Sequence, residues 1–103
     1  MTSIETTSAK QNINHHKNLK LYALNKMGWD QFECYNWLIH SESRWNPLAR
    51  NGSHYGLGQM RNPKVAGLSG REQIDWHWRY LKHRYPKGKA CAALKHFDTK
   101  GWH

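Results

Sequence analysis

A chain of 103 residues with 38% apolar side chains has room for one modest core and too little hydrophobicity for a membrane protein. Lysine and arginine number 16 against 7 acidic residues, so the surface favours polyanions: nucleic acid, anionic lipid headgroups or an acidic cell envelope. No recognition-helix or RNP-type signature accompanies the charge, which disfavours nucleic acid, and no segment is long enough to insert across a bilayer.

Residues 1–16 are rich in Ser, Thr, Asn and Gln without an apolar period, and read as a flexible N-terminal tail. Their start, with neither a basic segment nor an apolar run, does not read as a secretory signal. His15 and His16 point apart on any helix and read as solvated. From Lys17 to Met27, the spacing of Leu21, Leu24 and Met27 predicts an amphipathic helix closed by Gly28. Asp30 and Glu33 resemble a capping box opening the next helix, in which Phe32, Tyr35, Ile39 and Glu42 recur at three- and four-residue steps. Pro47 disfavours helical geometry at Asn46, so this helix should end between Ser43 and Trp45. Asn51-Gly52-Ser53 predicts a turn, and Tyr55 to Met60 a tight loop or short strand pair. Arg61 to Gly70 reads as a connecting loop. Ser69 and Glu72 form a second capping box, before a stripe of Ile74, Trp78, Leu81 and Tyr85 that stops at Pro86. Lys89 to Phe97 predicts a final short helix with Ala90, Ala93, Leu94 and Phe97 inward. The expected fold class is mainly α, with a glycine-rich loop or β-hairpin between helices.

Glu42 continues an apolar stripe to the end of its helix, where partial burial and the negative end of the helix dipole both favour a neutral carboxyl. Such an acid can protonate the leaving oxygen of a glycosidic bond. Hydrolysis usually needs a second carboxylate. Asp30 and Glu33 read as caps and Glu72 and Asp75 as polar-face residues, which leaves Asp98 as a loop acid. Gln59 can offer its amide to an acetamido group while its neighbouring glycines admit a glycan, or it can stabilise its own turn. Tyr55 is a candidate for lining the cleft or orienting Glu42. Ser43 reads as support for the loop beyond the acid, with no His-Asp partners to make it a nucleophile. Of the six tryptophans, Trp37, Trp45 and Trp78 are expected in the core, and Trp76 and Trp102 are open between packing and sugar stacking. His77 and His83 lack ligand spacing and no H-E-x-x-H occurs, so the histidines read as scattered surface residues, with no metal or other cofactor expected. Cys34 and Cys91 lie too far apart for a CxxC site and read, on the residues alone, as two buried thiols.

The run Ser41-Glu42-Ser43-Arg44-Trp45-Asn46-Pro47-Leu48-Ala49-Arg50-Asn51, followed by Gly56-Leu57-Gly58-Gln59-Met60, resembles the E-S-x-W-N-P-x-A-x-N … G-L-x-Q core of SLT-type, lysozyme-like lytic transglycosylases. Gln73-Ile74-Asp75-Trp76, Tyr80-Leu81, Arg84-Tyr85, Cys91-Ala92 and Gly101-Trp102 are similar to small single-domain members, so the likeness runs from about Asp30 to His103. It implies a lysozyme-like domain over residues 17–103, with Glu42 as the catalytic acid and peptidoglycan glycan strands as the partner. It also implies cleavage of the bond between N-acetylmuramic acid and N-acetylglucosamine without water, by one carboxyl acting first as acid and then as base. The loop between Asn51 and Gly56 is shorter than usual and the family's Ala-Tyr-Asn triplet is absent. His96 lies near the triplet's place, where it would stand in for a tyrosine that steadies the acid or simply face solvent. Similar members carry bridged cysteines at corresponding places, which implies a Cys34–Cys91 disulfide. The expectation is a monomer acting at the bacterial wall, in the periplasm or outside the cell, brought there by lysis, a holin or a phage particle. A lysozyme-type hydrolase using Asp98 and a non-catalytic basic module binding glycan or nucleic acid are the competing expectations.

Overall fold

Residues 2–101 are described in a computed structural model, with side chains from residue 15 onward. Among these residues there are four helices, α1 (Thr2–Met27), α2 (Trp29–Ser43), α3 (Gly70–Arg84) and α4 (Lys89–Lys100), with a largely exposed two-stranded antiparallel hairpin, β1 (Arg50–Asn51) and β2 (His54–Tyr55), between α2 and α3. The mainly helical class with one small hairpin is as expected. The boundary read at residue 16 falls inside α1, and Trp102 lies outside the described residues. Among the described residues, no helix is long and apolar enough to cross a membrane.

Helix α1 packs Leu24 and Met27 against the core as expected, but not Leu21. Leu19 and Ala23, four residues apart, are buried, whereas Leu21 sits about 200° around the helix from Leu19 and is 51% exposed. Leu19 fits against Gly70, where a β-carbon would meet its methyl groups, so α1 docks on the first turn of α3. A single residue, Gly28, separates α1 from α2. Its φ of 84° ends one helix, its N–H bonding to the Leu24 carbonyl, and its own carbonyl accepts from Phe32 N–H to begin the next. No side chain caps α2, so the Asp30–Glu33 box does not form; the glycine junction already sets the start, and Asp30 lies within the first turn.

The box at Ser69 and Glu72 does form in both directions, with Glu72 N–H donating to Ser69 Oγ at 3.2 Å and Ser69 N–H to Glu72 Oε1 at 3.0 Å. The preceding connection is less irregular than expected. Pro63–Gly67 makes a short 3₁₀ helix, its first turn capped by Asn62, whose Oδ1 accepts from Lys64 N–H.

Phe32, Tyr35, Leu38 and Ile39 of α2 meet Ile74, Trp78 and Leu81 of α3 and Ala90 and Ala93 of α4 in one core. Helix α4 is fixed to α2 twice. The Gln31 amide donates to the Gly88 carbonyl and accepts from Ala90 N–H, tying off the start of α4. A disulfide joins Cys34 to Cys91, closing 57 residues of sequence separation.

A polar contact between α1 and α3 completes the frame. Tyr22 Oη donates to Asp75 Oδ1 at 2.6 Å, and Lys26 Nζ lies 2.9 Å from the same oxygen. Burial of the Asp75 carboxyl alone would raise it. The hydrogen bonds from Tyr22 and Lys26, with the charges of Lys26 and Arg79, outweigh that and hold it below its ordinary value of 3.8.

Two outcomes follow for stability. Replacing Cys34 and Cys91 together by serine should lower the unfolding free energy by about 4 kcal/mol in the chain-entropy picture, read as a shift in the urea midpoint. A carboxyl lowered on folding stabilises above its unfolded value and ceases to as pH falls through its folded one. Asp75→Asn should therefore lower the melting temperature at neutral pH by roughly 4–8 °C, on the order of 1 kcal/mol for a partly screened contact. The gap between variant and wild type should then narrow as pH drops below 3.8.

Candidate functional site

Glu42 sits in the last turn of α2, and what happens just beyond it determines where its carboxylate can reach. Arg44 and Trp45 take left-handed φ values of 53° and 62°, and Arg44 N–H returns to the carbonyls of Ile39 and His40. Two successive residues in that conformation reverse the chain sharply, so that Trp45 folds back under its own helix. Its indole is 2% exposed, packs edge-on against Tyr35 and near Phe32, and donates from Nε1 to Asn36 Oδ1 at 2.9 Å. The residues that follow hold the reversal. Asn46 Oδ1 accepts from Leu48 N–H in a side-chain turn, and the Pro47 carbonyl accepts from Gln73 Nε2 at 2.9 Å.

The glycine-rich loop is gripped from both neighbouring helices at one residue. Leu57, fully buried, donates its N–H to Gln73 Oε1 at 2.8 Å, and its carbonyl accepts from Ser43 Oγ at 2.7 Å. The same Gln73 amide donates to the Pro47 and Leu68 carbonyls. The glycines on either side of Leu57 answer to this packing. A β-carbon on Gly56 would collide with the Gln73 side chain, and one on Gly58 would lie 2.6 Å from the His77 ring. These glycines let the loop backbone lie against α3, and Gly58 also lines the cleft.

Gln59, φ 50°, is the loop's internal staple. Its Nε2 donates to the Gly56 carbonyl at 2.8 Å and the Ala49 carbonyl at 3.2 Å, and its Oε1 accepts from Asn51 Nδ2. Both amide hydrogens are thereby engaged within the protein, so any further contact falls to Oε1, which has a second lone pair.

A cleft of about 690 Å³ opens between these segments. Glu42 lines it from α2; Gly58, Gln59, Met60, Arg61 and Asn62 line it from the loop, with His54 from β2. Helix α3 supplies Trp76, Arg79, Tyr80 and His83. Glu42 is the single carboxylate among these lining residues, beside two guanidiniums and two imidazoles. The Arg79 guanidinium lies 5.9 Å from the Trp76 ring centroid, and Trp76 is 37% exposed. Behind the cleft, His77 is fully buried, with Nδ1 3.0 Å from Tyr35 Oη and its ring stacked on Tyr80. Burial, with the Asp75 charge adding, pushes the Tyr35 hydroxyl well above its ordinary value, so it stays a neutral group in the core.

The structure thus brings Glu42 and Gln59 to one cleft and places the other expected site residues elsewhere. Ser43 braces Leu57 from behind. Tyr55 lies on β2, with the Arg50 guanidinium 5.0 Å from its ring centroid, and does not line the cleft. His96 is on α4 against Tyr85, their rings 6.0 Å apart, and α4 contributes nothing to the lining. Asp98 is on α4 too, exposed and in the helix, not in a loop. Of the tryptophans assigned to the core, Trp45 and Trp78 are buried but Trp37 is 64% exposed on the outer face of α2. His77 is a core residue, not a surface one. Among the described residues there is no group of three or more potential metal ligands.

The sequence reading leaves Trp76 open between packing and sugar stacking, and misses the rest of the α3 wall and its support. Trp76, Tyr80 and His83, with Arg79, recur at three- and four-residue steps on the face away from Ile74, Trp78 and Leu81. That second stripe is the signal that could have found them. No protein-family model, curated protein or solved structure matches the chain.

Gln73→Leu should leave one buried N–H and two carbonyls short of a partner and cost about 3 kcal/mol or more, measured by urea unfolding. Gly58→Ala should cost about 1–3 kcal/mol by pressing a methyl into the His77 ring. Gly67→Ala tests the alternative that glycine is needed in this region only for chain flexibility, because nothing lies within 4 Å of its added carbon and its φ is not positive. A smaller loss in Gly58→Ala than in Gly67→Ala would contradict the packing argument.

Proposed function

We propose that this protein is a peptidoglycan-cleaving lytic transglycosylase of the SLT type, with Glu42 as its catalytic residue. The observation that carries the reading is that Glu42, the sole carboxylate among the described residues lining the 690 Å³ cleft, stands at a helix end beside the loop bearing Gln59. Support comes also from the motif, whose letters all have work in building that corner. Trp45 anchors the reversal, Asn46 makes the turn, Pro47 meets Gln73, and Gly56-Leu57-Gly58 lies on α3.

In this mechanism Glu42 gives its proton to the oxygen linking muramic acid C1 to the next sugar, and the C1–O bond breaks as positive charge builds on the muramic ring. The ionised Glu42 then takes the proton of the C6 hydroxyl, whose oxygen bonds to C1. The product carries a 1,6-anhydro end, the proton is back on Glu42, and no water is consumed. One carboxyl suffices. A lysozyme-type hydrolase usually draws on a second, and Asp98, the residue available for it from sequence, stands on α4 outside the lining. The destination is the bacterial wall outside the cytoplasm, a setting in which the Cys34–Cys91 bridge persists.

Purified peptidoglycan sacculi should lose turbidity with the wild-type protein, and Glu42→Gln should slow clearing by at least about 100-fold while melting at the wild-type temperature. Mass spectrometry of the soluble fragments should show muramic ends lighter by one water than the hydrolytic product. Full clearing by Glu42→Gln would remove the acid from the mechanism, and reducing ends alone would replace the reaction with hydrolysis.

A further inference from the structure

We infer that the outer face of α3, with Lys26 from α1, is a docking ridge for a polyol-phosphate chain, a wall-borne polymer of phosphodiesters that carries no bases. The ridge takes no part in sugar cleavage and rests on the glycan-cleaving reading only for the wall as the place of encounter. Arg71, Arg79 and Lys82 fall within about 80° of one another around α3 and spread over about 16 Å of its length. All three are exposed, and exposed Lys26 joins them across the contact between α1 and α3, where its Nζ meets Asp75. Two carboxylates share this face, and both are engaged: Asp75 by Tyr22 and Lys26, and Glu72 by the Ser69 N–H. Four cations against two acids leave a positive row facing solvent.

The rings beneath the cations decide which polyanion fits. Arg71 and Lys26 lie 5.3 Å and 5.6 Å from the Tyr22 ring centroid, Lys82 5.7 Å from that of Trp78 and Arg79 5.9 Å from that of Trp76. Seated on rings, these side chains give up less freedom when an anion arrives. Trp78 is buried and Tyr22 lies under two cations, which leaves Trp76 as the ring with an open side. A single-stranded nucleic acid draws affinity from bases stacked on successive rings, and this ridge offers charge with little stacking surface. A bilayer surface calls for apolar side chains that enter it beside the cations. The exposed Trp29 and Trp37 stand on α2, Leu48 beyond its end, and Leu21 about 140° around α1 from Lys26, so these groups point elsewhere. A flexible phosphate chain without bases needs only the row of cations, and guanidiniums take its phosphates in paired hydrogen bonds. Arg79 also lines the cleft, so a chain held along the ridge keeps the cleft mouth at the same wall.

The test is fluorescence anisotropy on the full chain at low salt, with a labelled glycerol-phosphate dodecamer as the probe. Its binding should weaken with salt at a log–log slope of about 2 to 3, as three or four phosphate contacts imply. Arg71→Gln with Lys82→Gln should weaken binding at least about 10-fold and reduce that slope by about 1. Lys95→Gln with Lys100→Gln, an equal charge change at exposed positions on α4, should cost about threefold or less. Arg71→Lys with Lys82→Arg keeps the charge and should keep the affinity. A thymidine dodecamer and vesicles of phosphatidylglycerol, measured alongside, should both bind more weakly than the glycerol-phosphate probe. Tighter binding of the thymidine strand would assign the ridge to nucleic acid and tighter binding of the vesicles to a membrane. Either result, or equal losses from the α3 and α4 pairs, overturns the proposal. Clearing of phosphate-free sacculi by the wild-type protein reads the proposed activity separately, so the ridge can fall while the activity stands, and the reverse.

Discussion

The backbone of Leu57 is the point on which the candidate site depends. Its N–H and carbonyl are buried, and buried backbone groups must be paired. In a sheet a neighbouring strand would do this. Here two side chains do it, Gln73 from α3 and Ser43 from α2, so satisfying one residue's backbone fixes two helices relative to the loop between them. Because Ser43 directly follows Glu42, the grip on Leu57 also sets where the acid stands. Moving the loop away would strand two buried polar groups, at about 1–3 kcal/mol each. The cleft is accordingly held in shape by groups that lie behind its surface.

This arrangement explains why polar and small residues crowd a region that bulk hydrophobicity cannot define. Gln73 satisfies a loop N–H and two carbonyls, and Gly56 and Gly58 are small because α3 is immediately behind them. Gln59 secures the loop on its other side. These amides serve construction, while Glu42 and the α3 residues Trp76, Arg79, Tyr80 and His83 face the cleft. The proposed single-acid chemistry draws on that composition.

Where periodicity and capping speak alone, the sequence is legible. Helix α3 follows from the Ser69–Glu72 box and the Ile74–Trp78–Leu81 stripe, α4 from its alanines, and the end of α2 from Pro47. The hairpin follows from Asn51-Gly52-Ser53. Features that need a distant partner are not legible in this way. Gln31 and Gln73 look like surface amides until residues 57 and 16 positions away, respectively, are brought to them. Trp37 and Trp45 have the same side chain, and only the left-handed pair at Arg44 and Trp45, which no glycine announces, turns one inward and leaves the other out. Leu21 lost the core to Leu19 because α1 docks through Gly70, a contact with no local signature. For Glu42 the stripe position predicts partial burial and the resemblance implies the acid's place, whereas His96 rests only on a triplet this chain lacks, and the geometry puts it against Tyr85.

Helix α2 carries two constraints of different kind at its two ends. Near its start, Gln31 and the Cys34–Cys91 bridge bind α4, which contributes to the core and not to the cleft. Near its end, Ser43 meets Leu57. Cys34 and Glu42 are eight residues apart, about 12 Å along the axis, with buried Leu38 and Ile39 between them. A disulfide acts largely by restricting the unfolded chain, so it raises stability without aiming the acid. Gln73 and Ser43 act in the folded state and aim it directly. Stability and site geometry are thus secured separately on one helix, and a change at one end need not disturb the other.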